Sequence, residues 1–118
     1  MIKIVADKDI PFLDKAFDYS DEIELLKLPY DQITNSNLKK VDALISRSVT
    51  KINEDLVSDT NLKLIFSLTS GEDHVDFNCL EEIKFQSAKG SNAQAVFEYT
   101  ASALQFSSEK KNWNNWRR

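Results

Sequence analysis

The chain has one cysteine, one histidine, two glycines and two prolines in 118 residues. A single cysteine, Cys79, excludes an internal disulfide, so nothing points to an oxidising compartment. One histidine and one cysteine cannot build a typical zinc site, and no metal-ligand cluster is expected. With only Gly71 and Gly90, neither a Gly-x-Gly-x-x-Gly fingerprint nor a Walker-type loop is present. Basic residues are outnumbered by acidic ones, 15 to 19. The net charge is -4 and the pI about 5.0, which argues against a broad nucleic-acid or anionic-membrane surface. No apolar run approaches a membrane span, and the opening Met1-Ile2-Lys3-Ile4-Val5-Ala6-Asp7 lacks a signal-peptide design. A cytoplasmic protein is the expectation.

What remains is ordinary globular material. Hydrophobic residues make up 42% and charged residues 29% of the chain. The length suits one domain with a real core. Five short apolar runs recur: Ile2 to Ala6, Ile23 to Leu28, Ala43 to Ser46, Leu62 to Leu68, and Phe85 to Ala88. Several are nearly continuous, as expected for strands covered on both faces.

Helical patterns fit between the runs. Pro11 suits a first turn carrying Phe12, Ala16 and Phe17. Asn53 is placed to cap a short helix with Leu56 and Val57. Asp76 is placed to cap another, with Phe77, Leu80 and Ile83 on one side and a Val75–Leu80 hydrophobic staple. The segment from Leu28 to Lys40 shows no clear pattern. Near the end, Ser91 and Gln94 have capping-box spacing, and Ala93, Val96, Phe97, Thr100, Ala101 and Leu104 follow on one helix face. Tyr99, Ala103 and Phe106 widen that stripe, which predicts a partner surface and self-association, as a homodimer or otherwise. Residues 107–118 lose all periodicity and read as a linker-like tail.

Strand–helix alternation predicts an α/β fold: a flavodoxin-like three-layer sandwich with about five parallel strands, ending in a long helix. Ligands of such sheets bind beyond the carboxyl ends of the strands. That rule selects Asp7-Lys8-Asp9, Arg47-Ser48-Val49-Thr50, Thr69-Ser70-Gly71-Glu72 and Lys89-Gly90-Ser91-Asn92. Their hydroxyls, cations and free backbone N–H groups suit an anionic, oxygen-rich small molecule, although any α/β protein has polar loops there. Asp7 and Asp9 also suggest a phosphoacceptor receiver domain, with Thr69 or Ser70 as its hydroxyl and Lys89 as its lysine. That chemistry needs an acceptor aspartate after the third strand, where this chain has Ser46-Arg47-Ser48. His74 has a side chain suited to a general base, but no nucleophile signature accompanies it, which favours a structural role. Cys79 reads as a small buried hydrophobe inside a helix.

Three segments of these loops carry a resemblance. Ser46-Arg47-Ser48-Val49-Thr50-Lys51-Ile52-Asn53, Thr69-Ser70-Gly71-Glu72-Asp73-His74-Val75-Asp76, and Gly90-Ser91-Asn92-Ala93-Gln94-Ala95-Val96-Phe97-Glu98-Tyr99 resemble successive motifs of the D-isomer-specific 2-hydroxyacid dehydrogenases. The Arg-Ser-Val-Thr-Lys run and the opening Ala6-Asp7-Lys8-Asp9-Ile10-Pro11 are nearest the erythronate-phosphate branch, which belongs to pyridoxal phosphate synthesis. The likeness runs from Ile2 to about Leu104.

The resemblance implies a substrate domain over residues 1–106 of a two-domain, NAD-dependent oxidoreductase. The catalytic Arg, Glu and His and the cofactor-binding glycines would come after Trp116-Arg117-Arg118. By this resemblance the chain alone holds no catalytic residue, binds no cofactor and is inactive. Ser48 and Thr69 take substrate-binding roles, with Arg47 and Gly71 beside them and Gly71 allowing close backbone approach. Asn92, which takes a cofactor-binding role in the complete enzyme, begins the helix that passes toward the cofactor domain in relatives. The implied ligand is a small phosphorylated hydroxy acid. Glu72, Lys89 and Ser91 depart from the family pattern, which commonly has threonine, proline and a small residue such as cysteine there. The other expectation, from the residues alone, is a stand-alone, non-catalytic binding or interaction module of the same fold.

Overall fold

A computed structural model describes residues 2–11, 13, 23–69, 71–87 and 93–104 of the protein. The apolar runs form strands β1 (Ile2–Asp7), β2 (Ile23–Leu28), β3 (Ala43–Arg47), β4 (Leu64–Leu68) and β5 (Lys84–Ser87). Their order in one sheet is β2-β1-β3-β4-β5, and every neighbouring pair is parallel. This is the flavodoxin-like order, so the expected architecture holds. The strand limits differ from the expected ones by one or two residues, except in β2, which matches.

Alternation along the strands divides the core. Ile4, Ala6, Ala43, Ile45, Leu64 and Phe66 point to one face. Val5, Leu44 and Ile65 point to the other. The first face is covered by helix α2 (Ala93–Leu104), through Val96, Thr100 and Ala101, which are buried. Tyr99, Ala103 and Leu104 pack partly against the same cluster. Phe66 and Tyr99 meet edge to face, with ring centroids 5.7 Å apart. The described helix has twelve residues, an ordinary length, and the long helix expected is not established. The capping-box residue Ser91, the side chains of Ala93 and Phe97, the helix expected at Phe12 to Phe17, and the tail of residues 107–118 lie outside the description.

The second face is covered differently from what the sequence suggests. The unclear segment between β2 and β3 forms two short 3-10 turns, Tyr30–Gln32 and Ser36–Leu38. Ile33, Leu38 and Val41 from it enter the core. Asn53 caps the one-turn helix α1 (Glu54–Val57), accepting a hydrogen bond from the Leu56 amide at 3.0 Å. The helix expected after Asp76 is reduced to one 3-10 turn, Phe77–Cys79, although the Asp76 carboxylate does accept from the Asn78 amide. The turn ends because Glu81 takes a left-handed backbone, φ 47°, and turns the chain into β5. Val75 and Leu80 still meet the same core cluster. Cys79 is half-buried in that turn and donates its thiol to the Asp76 carbonyl at 2.9 Å. Burial, then the Asp76 charge, pushes the thiol pKa up. No described helix is long and apolar enough to cross a membrane.

Candidate functional site

The strands are parallel, so their carboxyl ends gather the loops after β1, β3 and β4 along one edge. The register fixes which loop residues are neighbours. Arg47 pairs with Leu68, so the turn at Ser48 and the loop at Thr69 leave the sheet side by side. Neighbouring strands lie roughly 4.8 Å apart, which puts these two hydroxyl-bearing segments within reach of one small ligand. Ser48 is exposed and Thr69 half-buried. The Thr69 Oγ1 accepts from the Gly71 amide at 3.2 Å, which leaves its O–H free to donate elsewhere.

A polar row crosses the sheet just inside these loops. Ser46 pairs with Ser67, and Ser67 with Ser87. Ala6 pairs with Ile45, so Asp7 stands beside Ser46 in the same row. Asp7, Ser46 and Ser67 have no exposed surface. Each such group needs a partner to offset its lost hydration. Ser67 Oγ lies 2.9 Å from His74 Nε2. Ser87 Oγ donates to Glu72 Oε2 at 2.9 Å. Asp7 Oδ2 accepts from Arg47 Nε at 2.9 Å, and Asp7 Oδ1 from the Asp9 amide at 2.9 Å. Ser46 Oγ and Thr50 Oγ1 are buried without a partner among the described residues.

Four of the site residues singled out from the sequence, Arg47, Ser48, Thr69 and Gly71, have a definite place here. Ser48, Thr69 and Gly71 are brought together along the edge. Arg47 is beside them, but two of its nitrogens are committed within the protein: Nε to Asp7, and Nη2 to Asp9 at 3.3 Å. Its guanidinium therefore holds the loops after β1 and β3 together. A Cβ at Gly71 would meet nothing within 4 Å, so no protein contact demands a glycine and the space beside it is open. Asn92 lies outside the described residues.

Asp7 belongs to β1 rather than to the loop after it, and its engagement by Arg47 differs from the open acid pair of a receiver site. The His74 ring is engaged within the protein, by Ser67. Burial lowers its pKa below the ordinary 6.5, partly opposed by the charges of Asp73 and Glu72. The Ser67–His74 pair was not anticipated. Its signal was a lone polar residue inside the apolar run Leu64-Ile65-Phe66-Ser67-Leu68, which asks for a partner. Among the described residues, no group of three or more His, Cys, Asp or Glu is arranged to hold a metal ion.

Residues 1–113 match the family model of the D-isomer specific 2-hydroxyacid dehydrogenase catalytic domain. The chain belongs to that family. Within the 2-hydroxyacid dehydrogenases it is 43% identical over 111 residues to the erythronate-4-phosphate dehydrogenase of Hahella chejuensis, covering 92% of this chain and 29% of that protein. It is 40% identical over 105 residues to the erythronate-4-phosphate dehydrogenase of Teredinibacter turnerae, covering 87% of this chain and 28% of that one. The chain thus spans under a third of the length of these curated relatives. Among solved structures it resembles a phosphoglycerate oxidoreductase of Vibrio cholerae, with a TM-score of 0.60 at 21% identity over 86% of this chain and 36% of that one. It also resembles the D-lactate dehydrogenase of Aquifex aeolicus complexed with NAD and lactic acid, with a TM-score of 0.58 at 19% identity over 92% of this chain and 39% of that one. These two structural likenesses bear on the fold.

Proposed function

We propose that this chain is the substrate-binding domain of a cytoplasmic, NAD-dependent D-2-hydroxyacid dehydrogenase that oxidises the C2 hydroxyl of 4-phosphoerythronate in pyridoxal phosphate synthesis. The observation that carries the reading is the adjacency of Ser48 and Thr69, set by the Arg47–Leu68 register, in a chain 43% identical to an erythronate-4-phosphate dehydrogenase. Ser48 and Thr69 supply neutral hydrogen-bond donors, and the open side of Gly71 admits the ligand against the backbone. The nearby Arg47 charge is engaged by Asp7 and Asp9, so the groups these loops offer an oxygen-rich ligand are the two hydroxyls and the backbone beside Gly71.

The residues present do not fit the dinucleotide. A pyrophosphate needs a glycine-rich cradle of backbone N–H groups, and Gly71 is the only glycine among the described residues. The role of this chain is therefore to bind and orient the hydroxy acid, and no redox step is assigned to its side chains. Self-association through α2 belongs to the same reading, since Tyr99, Ala103 and Leu104 are only partly buried against the sheet. A strict monomer by light scattering at high concentration would count against that part.

The test is a titration of 4-phosphoerythronate into the isotope-labelled chain, followed by amide NMR. The amides of Ser48, Thr69 and Gly71 should shift, and Ser48→Ala or Thr69→Ala should each weaken binding about tenfold, the size of one hydrogen bond to a charged ligand. Unmoved amides at millimolar ligand would sink the reading and favour a non-catalytic module. NAD reduction by this chain alone would also contradict it. The DNA beyond the Arg118 codon is a second check, because a continuing frame with Gly-x-Gly-x-x-Gly supports the enzyme.

A further inference from the structure

The loop from Thr69 to Asp76 has little regular structure of its own. It carries Thr69 and Gly71, yet its described backbone touches the rest of the protein in an ordered way at one place, the isolated parallel bridge between Ile52 and Val75. There the Ile52 amide donates to the His74 carbonyl at 2.8 Å, and the Asp76 amide donates to the Ile52 carbonyl at 2.8 Å. Ile52 is fully buried and belongs to the segment that leaves Ser48. The bridge therefore joins the loop after β4 to the loop after β3.

His74 makes a second attachment through its ring. Nε2 reaches back to Ser67 Oγ at 2.9 Å, and Ser67 is fully buried in β4. This bond closes residues 67–74 into a ring of chain with Thr69 and Gly71 inside it. Closing a short loop removes conformations that it would otherwise sample. A neutral imidazole serves in either tautomer, because the serine hydroxyl can donate to the ring nitrogen or accept from it. His74 thus ties one loop to its own strand by the side chain and to the neighbouring loop by the main chain.

We propose that His74 is a positioning residue that fixes Thr69 and Gly71 against the Ser48 turn, so that the two loops present one rigid surface to the ligand. The proposal rests on the reading of this edge as the substrate site, and it extends that reading to a residue that touches no ligand. A histidine serving only general stability would affect the whole sheet equally. A positioning histidine affects the two loops and the affinity, and leaves the strands alone.

The experiment compares the full chain with His74→Leu, His74→Gln, Ser67→Ala and the Ser67→Ala/His74→Leu pair. Amide hydrogen exchange and 4-phosphoerythronate affinity are measured for each. Glutamine places an amide near the position of Nε2 and should keep exchange and affinity within about twofold of the unsubstituted chain. Leucine should speed exchange at Ile52 and Asp76 about tenfold and weaken binding about tenfold, the equivalent of one hydrogen bond of the stronger kind, while Leu64 to Phe66 keep their protection. The double variant should be no worse than His74→Leu, because one bond is lost in both.

Unchanged exchange at Ile52 and Asp76 in His74→Leu overturns the proposal, as do additive losses in the double variant. Faster exchange spread through β4 also overturns it, as does failure of His74→Gln to do better than leucine. If the unsubstituted chain binds no 4-phosphoerythronate, the substrate reading fails, and the exchange pattern alone decides whether His74 joins the loops.

Discussion

Arg47 Nε lies 2.9 Å from Oδ2 of Asp7, a carboxylate with no exposed surface, while the arginine side chain itself is one-third exposed. The pair joins the ends of β1 and β3, and a second contact from Nη2 to Asp9 extends it into the loop. Such a pair does not by itself add much stability, because both charges lose hydration. Its removal from one side is costly, because Asp7 would be left buried without its cationic partner. Arg47→Ala should therefore lower stability by about 3 kcal/mol, the low end for a buried pair because the arginine is partly solvated. Arg47→Lys should recover only part of this, since a lysine cannot serve Asp7 and Asp9 with separate nitrogens. Urea denaturation of each variant measures both, and an Arg47→Ala loss under 1 kcal/mol (roughly that of a surface pair) would show that the pair is solvated.

Phe66 links the sheet to α2. It is 2% exposed and meets the ring of Tyr99 edge to face. Phe66→Ala removes the largest fully buried side chain among the described residues and should cost about 3–5 kcal/mol. Tyr99→Leu keeps apolar volume but removes the ring contact, and should cost about 1 kcal/mol. Thermal unfolding of both variants checks the ranking, and the reverse order would mean that α2 docks elsewhere.

His74 makes stability depend on pH in a defined direction. Burial lowers its pKa in the folded chain below 6.5, against the opposing charges of Asp73 and Glu72. Well above 6.5 the ring is neutral in both states, and it contributes no pH dependence. As the pH falls through 6.5 the unfolded chain takes up the proton first, so the folded state loses stability until its own ring is protonated. His74→Gln has no such titration. The stability of the natural chain relative to His74→Gln should therefore fall as the pH is lowered from the mildly alkaline range through 6.5, as read from urea midpoints. A constant difference across that range would refute the lowered pKa.

Much of the architecture was legible in the residues. Parallel strands buried on both faces need near-continuous apolar runs, and the five runs were visible because little else in the chain is so apolar. The Asn53 cap was equally plain, since it depends on one side chain and an amide three residues on. The sequence around Asp76 suggests a longer helix than forms, because its cap and apolar spacing are local, whereas its end is set by the left-handed Glu81 where the chain turns into β5. The stretch from Leu28 to Lys40 was unreadable for a related reason. Its 3-10 turns are short, and Ile33, Leu38 and Val41 are held by the core more than by any period of their own.

The sequence by itself determined the family, the run of strands and the loops where a ligand would sit, because strand periodicity and motif order are properties of the chain taken in order. Only the tertiary structure decided which loop residues are neighbours. Strand register placed Ser48 beside Thr69 and turned Arg47 from an open cation into the partner of Asp7, while the path of the loop after β4 set His74 within hydrogen-bond distance of Ser67. Those pairings bring together residues from different strands and loops, and which of them meet depends on how the parallel strands and the loops after them lie across the sheet.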